Sequence, residues 1–306
     1  MKAFLRTLNN KEIKGYVFSL YYTFFLLTHL FLVKLLQIHY NISYVTLLTQ
    51  TGSIISLMCL YRIFMTLNKI ATTSSLDFVQ MFHGGFFSFM AYAFITLSLY
   101  YLSVTNFMLI FRLYPFIFLF AINVLDNYPI TQNEFTCFMV SLLAIFAILI
   151  PGMDNKLIIG VVIVIFALTC KVIATKYWKR ARGVTVDFLL LSVGFLSAGI
   201  GGVLMITTRD KIEYLNYSGW ICVVLNGLST YYARIFLLKV IKYMRNVSKI
   251  AVFNTFGILV AMVVEVFVYG EVFSVWYYGL GLVLVNSFFF TKELIKGGQN
   301  KSVMYK

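Results

Sequence analysis

Charged residues are scarce in this chain. They make up 12% of its 306 residues, while 61% are hydrophobic; a soluble domain has about 25% charged residues. This composition excludes an ordinary water-soluble globular protein. Cysteine is also scarce: the four cysteines (Cys59, Cys137, Cys170 and Cys222) lie in apolar runs and form no CxxC pair. Neither a disulfide framework nor a metal site is indicated, and we expect no cofactor.

Acidic residues are few as well. The chain has 11 Asp and Glu against 25 Lys and Arg, a net charge of +14. An excess of this size can indicate nucleic-acid binding. Here, however, the basic residues form short clusters between apolar runs, which is typical of membrane-protein loops beside anionic lipid. We therefore expect membrane lipid, and not nucleic acid, around this protein.

The residue patterns of common membrane enzymes are missing. The chain has three histidines, with no HxxxH or DxD pair and no Walker motif. Without such acidic or histidine clusters, or a phosphate-binding loop, the sequence predicts neither an enzyme nor an ATP-driven pump.

Long apolar runs fill most of the chain. A transmembrane helix needs about 20 mostly apolar residues, and ten windows meet that requirement. The N-terminal run lacks a small-residue cleavage site, so we interpret it as the first span and not a removed signal. The third and fourth windows form one stretch, which we divide at 102–105. The windows are 16–37, 42–65, 79–102, 104–125, 133–150, 157–175, 185–207, 219–238, 247–269 and 274–292.

The basic residues between these windows predict their orientation. With the N-terminus in the cytosol, eighteen Lys and Arg fall on the cytosolic side and three on the other, namely Lys156, Arg209 and Lys211. Because cytosolic loops carry the excess of Lys and Arg, both termini are predicted to be cytosolic.

The two halves of the chain are related by a constant offset. Shifting the sequence by 142 residues superimposes windows one to five on windows six to ten. Because five is odd, the halves cross the membrane in opposite senses, as in many transporters. We predict an all-α membrane fold of ten helices in a 5+5 inverted repeat, residues 1–150 and 151–306. Coinciding identities include Leu48 with Leu190, Gly52 with Gly194, Gly85 with Gly227, and Ala91 with Ala233.

The architecture resembles the drug/metabolite transporter superfamily, and more closely its EamA-like branch. Residues 247–293 look like that family's last two helices, with a Gly-Glu turn at Gly270–Glu271, and residues 102–135 look like the matching region of the first half, with a proline at Pro115. Two positions depart from the pattern. Tyr128–Pro129 replaces the first Gly-Glu turn, and Gly257 replaces the second proline.

The charged residues inside the spans are the candidate substrate contacts, because intramembrane ionisable residues mark functional sites by default. Arg112 lies about 12 Å below the outer face at 1.5 Å per residue. We expect a central cavity between the halves in which this guanidinium binds an anion. Pairing with Glu265, or capping by carbonyls, is the alternative role of Arg112. The full candidate set is His29, Lys34, Arg112, Lys171, Arg234, Asn254 and Glu265.

Other roles remain open for several of these candidates. Lys34 ends its span and can snorkel to the interface. His29 can relay protons or simply pack, and the repeat makes Lys171 its equivalent. Asn254, the equivalent of Arg112, can line the cavity or bond a neighbouring helix.

The resemblance implies a secondary transporter of a small organic metabolite, working by alternating access about a midplane site. The excess of buried cations predicts an anionic substrate. The alternative is a non-transporting membrane subunit with a transporter-like fold in a larger complex, which the departure at Tyr128–Pro129 favours. A homodimer is compatible with either function.

Overall fold

The protein, seen in a computed structural model, is helical throughout the residues that the structure describes. These are 10–65, 75–114, 117–118, 120–121, 130, 132–149, 154–180, 185–208, 216–243 and 250–270. The helices are α1 (Asn10–His39), α2 (Tyr44–Met65), α3 (Ser75–Ser98), α4 (Val104–Phe111), α5 (Gln132–Leu149), α6 (Asn155–Arg180), α7 (Val186–Thr208), α8 (Tyr217–Tyr243) and α9 (Ile250–Tyr269).

Six of these helices are long and apolar enough to cross a membrane: α1, α2, α3, α6, α7 and α8. Each coincides with one predicted window. Their outward faces carry exposed large side chains such as Phe24, Phe64, Val162 and Ile206, as expected of surfaces in contact with lipid. The described residues thus indicate a multi-pass integral membrane protein. The tenth window, 274–292, lies outside them.

The break between the third and fourth windows falls where the sequence places it. α3 ends at Ser98, and Ser103 caps α4 by accepting a hydrogen bond from the Asn106 N–H. Lys34 of α1 stabilises this break, since its Nζ donates to the carbonyl oxygens of Leu99 at 2.7 Å and Leu102 at 3.0 Å. These bonds provide partners for carbonyls that the end of α3 leaves without helical ones.

The fourth window is interrupted. It predicts a helix over 104–125, but α4 ends at Phe111, with Arg112 as its C-cap residue. The described residues at 114, 117–118 and 120–121 are helical again, so the window is interrupted at 112–113. Pro115 favours an interruption here, because it has no N–H to donate to the Phe111 carbonyl four residues earlier.

Close packing of small residues joins α2 to α7. A methyl group added at Gly52 would stand 2.5 Å from the backbone N of Ala198, and one at Gly194 would stand 2.5 Å from Ser56 Oγ. Glycine is therefore required at both positions for the helices to approach, as at many helix contacts in membranes. Around this pair, α1 packs on α8 and α3 packs on α6.

Candidate functional site

A cavity of about 60 Å³ lies between α1, α3, α6 and α8. Its walls are mostly aliphatic and aromatic, with a few polar groups. The lining residues are Tyr22, Leu26, His29, Ser88, Ala91, Tyr92, Ile95, Lys171, Ala174, Thr175, Trp178, Thr230, Ala233, Arg234 and Leu237.

Lys171 of α6 brings an ammonium group to this cavity. Its Nζ donates to the Tyr22 hydroxyl at 2.8 Å. It also lies 4.3 Å from the ring centroid of Phe111 and 5.0 Å from that of Tyr114. Aromatic faces attract a cation and do so more strongly away from water. They hold the ammonium group in place without neutralising its charge.

Arg234 of α8 supplies the second cation. Its Nη1 donates to Ser88 Oγ of α3 at 2.7 Å, and its guanidinium carbon lies 5.3 Å from the Tyr92 ring centroid. Both partners are uncharged. The hydroxyl takes one of the five N–H donors of the guanidinium, so most of its hydrogen-bonding capacity is directed elsewhere.

The cavity is therefore lined by two basic side chains, Lys171 and Arg234. None of its lining residues in the described part of the chain is Asp or Glu. Arg62 and Asp187 form an ion pair at 3.6 Å, but neither of these residues lines the cavity. Burying two cations without a carboxylate is costly, so a functional reason for keeping them is expected.

His29 of α1 lies against α8 in a hydrogen-bonded network. Asn226 Nδ2 donates to Thr51 Oγ1 at 3.0 Å, which leaves its Oδ1 facing His29 Nδ1 at 2.7 Å. Nδ1 must therefore carry the ring hydrogen. The other ring nitrogen, Nε2, is buried and has no hydrogen-bond partner among the described residues. Such an orphaned group costs about 1–3 kcal/mol.

Three further candidates, Lys34, Arg112 and Glu265, are not among the lining residues. Glu265 accepts hydrogen bonds from the backbone N–H groups of Val104 and Thr105, where α4 begins. Lys34 binds the carbonyls beyond α3. Arg112, with 4% of its surface exposed, lies at the far end of α4 and is not among the lining residues.

Of the seven residues chosen from the sequence, the structure thus brings three together: His29, Lys171 and Arg234. The side chain of Asn254 lies outside the described part of the chain. The sequence reasoning missed Tyr22, Ser88 and Trp178, because serine and aromatic residues are common in membrane helices and carry no signal alone.

Comparison with known proteins adds fold information alone. No protein-family model matches the chain, and no curated protein matches it. One similar solved structure, described as "Crystal structure of protein", has a TM-score of 0.64 and 13% identity over 92% of this chain and 97% of its own. At this identity the similarity shows a shared fold and carries no information on activity.

Proposed function

We propose that the protein is a secondary transporter of a small organic metabolite, built as a 5+5 inverted repeat of ten membrane helices with cytosolic termini. In this proposal, the cavity between α1, α3, α6 and α8 is the substrate site. The two halves rock about it, so that the site opens to each side of the membrane in turn. The resemblance to EamA-like drug/metabolite transporters belongs to the same proposal.

The pairing of helices supports the repeat. The 142-residue offset exchanges α1 with α6, α2 with α7, α3 with α8 and α4 with α9. Under this exchange the α1–α8 contact becomes the α3–α6 contact, and α3–α7 becomes α2–α8. Likewise, α1–α9 becomes α4–α6, while α2–α7 and α4–α9 map onto themselves. All of these pairs are in contact, as two halves related by a twofold axis require.

The strongest support for the proposal comes from the residues that line the cavity. Four positions of α3 line it, and the residues 142 positions later are the four lining positions of α8. His29 of α1 and Lys171 of α6 are related by the same interval. A substrate site on the axis between two repeats has this property. The α3 and α8 pairs are Ser88 with Thr230, Ala91 with Ala233, Tyr92 with Arg234, and Ile95 with Leu237.

The same cavity weighs against the non-transporting subunit. A scaffold has no use for cations without carboxylates in its centre, and filling the space with apolar side chains would make it more stable. Lys171 and Arg234 have hydroxyl and aromatic partners instead of acidic ones. Ligand binding gives a reason to keep them.

Alternating access is tested by labelling the cavity from each side. Cysteine is placed at Ala91 and, separately, at Ala233, in a chain whose native cysteines are replaced by alanine. Inside-out and right-side-out vesicles are treated with a membrane-impermeant maleimide. We expect both positions to be labelled in both kinds of vesicle, because each faces the cavity. A cysteine at Val162, which is 46% exposed on the outward face of α6, is the lipid-facing control and should not react.

Labelling of both lining positions from one side alone would contradict alternating access. Absence of labelling from either side, in a protein that remains folded, would favour the non-transporting subunit.

A further inference from the structure

We infer that the cavity binds an organic oxyanion, with its charged head between Lys171 and Arg234 and a hydroxyl donating to His29 Nε2. This inference rests on the proposed function for its physiological meaning, but the binding itself can be measured independently. The ligand class follows from the charge and the free hydrogen-bonding groups of the wall.

Lys171 and Arg234 are the groups that bind the charged head of the ligand. Lys171 has one ammonium donor engaged with Tyr22, and Arg234 has Nη1 engaged with Ser88. An ammonium group has three donors and a guanidinium has five, so six remain in total for a ligand. The guanidinium fork matches a carboxylate or phosphate with two parallel hydrogen bonds. A cationic or neutral ligand would leave both positive charges without compensation.

His29 specifies a second feature of the ligand. Its Nδ1 is fixed by Asn226 and Thr230, at 2.7 Å and 2.9 Å. The ring is thereby held in one tautomer, with Nε2 as a pure acceptor. Because Nε2 has no partner among the described residues, a hydroxyl on the ligand would satisfy it. The anion is therefore expected to carry a hydroxyl near its charged head.

The remaining walls set the size and body of the ligand. Tyr22, Tyr92 and Trp178 contribute flat apolar surfaces, and alanines at 91, 174 and 233 leave room between the helices. A volume of about 60 Å³ favours a compact ligand. Small hydroxylated oxyanions thus fit best.

Binding is tested on the purified full chain in detergent, by thermal shift and equilibrium titration. The probes are phosphate, glycolate, acetate and glycerol phosphate, with choline and sorbitol as cationic and neutral controls. We expect the oxyanions to bind and the controls to have no effect. Replacing either Lys171 or Arg234 by Gln should weaken oxyanion binding by about tenfold or more. Lys239→Gln, which removes an exposed lysine of α8 that lies over Phe18 and Phe236, should leave it unchanged.

The hydroxyl preference has its own comparison. Wild type should bind glycolate more tightly than acetate, and His29→Phe should bind the two equally. Equal affinity of wild type for choline and for the oxyanions would overturn the inference, as would full oxyanion affinity in both Gln variants. If a Gln variant does not fold, Lys171→Arg and Arg234→Lys replace it. They keep the charge but change the donor geometry, and unchanged affinity for every oxyanion in both would also count against the site.

Binding and transport separate the two proposals. Oxyanion binding that depends on Lys171 and Arg234, without flux across vesicles, would uphold the site and contradict the transporter. Flux of a cation or neutral solute through the cavity would uphold the transporter and contradict the oxyanion site.

Discussion

Arg234 of α8 donates a hydrogen bond to Ser88 of α3 across the cavity, at 2.7 Å. The two helices are equivalent under the 142-residue offset, and Thr230, one turn before Arg234, is the counterpart of Ser88. This bond is therefore one of those that link residues 1–150 to residues 151–306 at the cavity. It also fixes the direction in which the guanidinium faces.

Ser88→Ala should weaken oxyanion binding and lower the melting temperature. A hydrogen bond to a charged group contributes about 1.5–3 kcal/mol, and its loss frees the guanidinium from the position that suits the ligand. Ser88→Thr keeps a hydroxyl and should restore most of the affinity. The matched control is Ser53→Ala, an exposed serine whose Oγ donates to the Thr49 carbonyl of its own helix. Wild-type affinity in Ser88→Ala would show that this bond does not orient Arg234.

Glu265→Gln should lower stability but leave ligand binding intact. The carboxylate accepts two backbone N–H groups at the start of α4 and is 1% exposed. An amide would turn an NH₂ group towards one of them, at a cost of about 1–3 kcal/mol. Melting temperature and oxyanion affinity are measured together.

The control for Glu265 is Asp154→Asn. Asp154 is exposed and accepts from the Leu157 N–H at the start of α6, and asparagine caps helices about as well as aspartate. Its melting temperature should hardly change. Loss of oxyanion binding in a folded Glu265→Gln protein would return Glu265 to the substrate site.

Two glycines of α7 should respond oppositely to alanine. At Gly194 the added methyl meets Ser56 Oγ at 2.5 Å and the Ser56 backbone N at 2.9 Å, whereas at Gly199 nothing lies within 4 Å. Gly194→Ala should therefore force α2 and α7 apart and lower the melting temperature. Gly199→Ala should be neutral or stabilising, since alanine favours helix over glycine by up to about 1 kcal/mol. Equal melting temperatures would contradict the close approach of α2 and α7.

A polar cluster of Asp187, Tyr231 and Arg62 should hold one end of the α2–α7 contact closed and so keep reagents from Cys59. Asp187 Oδ1 accepts from the Tyr231 hydroxyl at 3.1 Å, lies 3.6 Å from Arg62 Nε, and joins α7 to α2 and α8. Cys59, one turn from Arg62, is fully buried and packs in the same cluster as Tyr231. A partly exposed ion pair contributes up to about 1 kcal/mol. Asp187→Asn should therefore raise the equilibrium constant for separation of these helices, which exposes Cys59, roughly fivefold.

The readout is the rate of Cys59 alkylation by N-ethylmaleimide, in a chain with the other three cysteines replaced. Asp154→Asn serves as the control and should react at the original rate. A rate that does not change in Asp187→Asn would mean that the cluster does not hold these helices together.

Much of the fold could be predicted because the membrane imposes one strong rule. Each span must satisfy its backbone internally and present apolar side chains to lipid, so length and hydropathy locate α1, α2, α3, α6, α7 and α8 directly. The end of α4 at Phe111 was harder to predict. The apolar run continues to residue 125, and Pro115 could as easily have kinked the helix as ended it.

The site was predicted only in part, because charge type alone does not reveal a partner. The sequence places three charged residues, Lys34, Lys171 and Glu265, within predicted membrane spans and does not distinguish their roles. Lys34 binds backbone carbonyls between α3 and α4, and Glu265 binds backbone N–H groups at the start of α4; backbone groups have no sequence signature. Lys171 and Arg234 fall in one cavity because their helices are partners in the fold, which only the three-dimensional arrangement reveals.

The most direct test of the central claim is counterflow in liposomes containing the purified protein. Liposomes are loaded with unlabelled glycolate or phosphate, and uptake of the labelled anion is followed for wild type, Arg234→Gln and Lys239→Gln. We predict saturable uptake by wild type and Lys239→Gln, and its loss in Arg234→Gln. Uptake no greater than in protein-free liposomes, from wild type that binds the same anion in detergent, would contradict the assignment of this protein as a transporter.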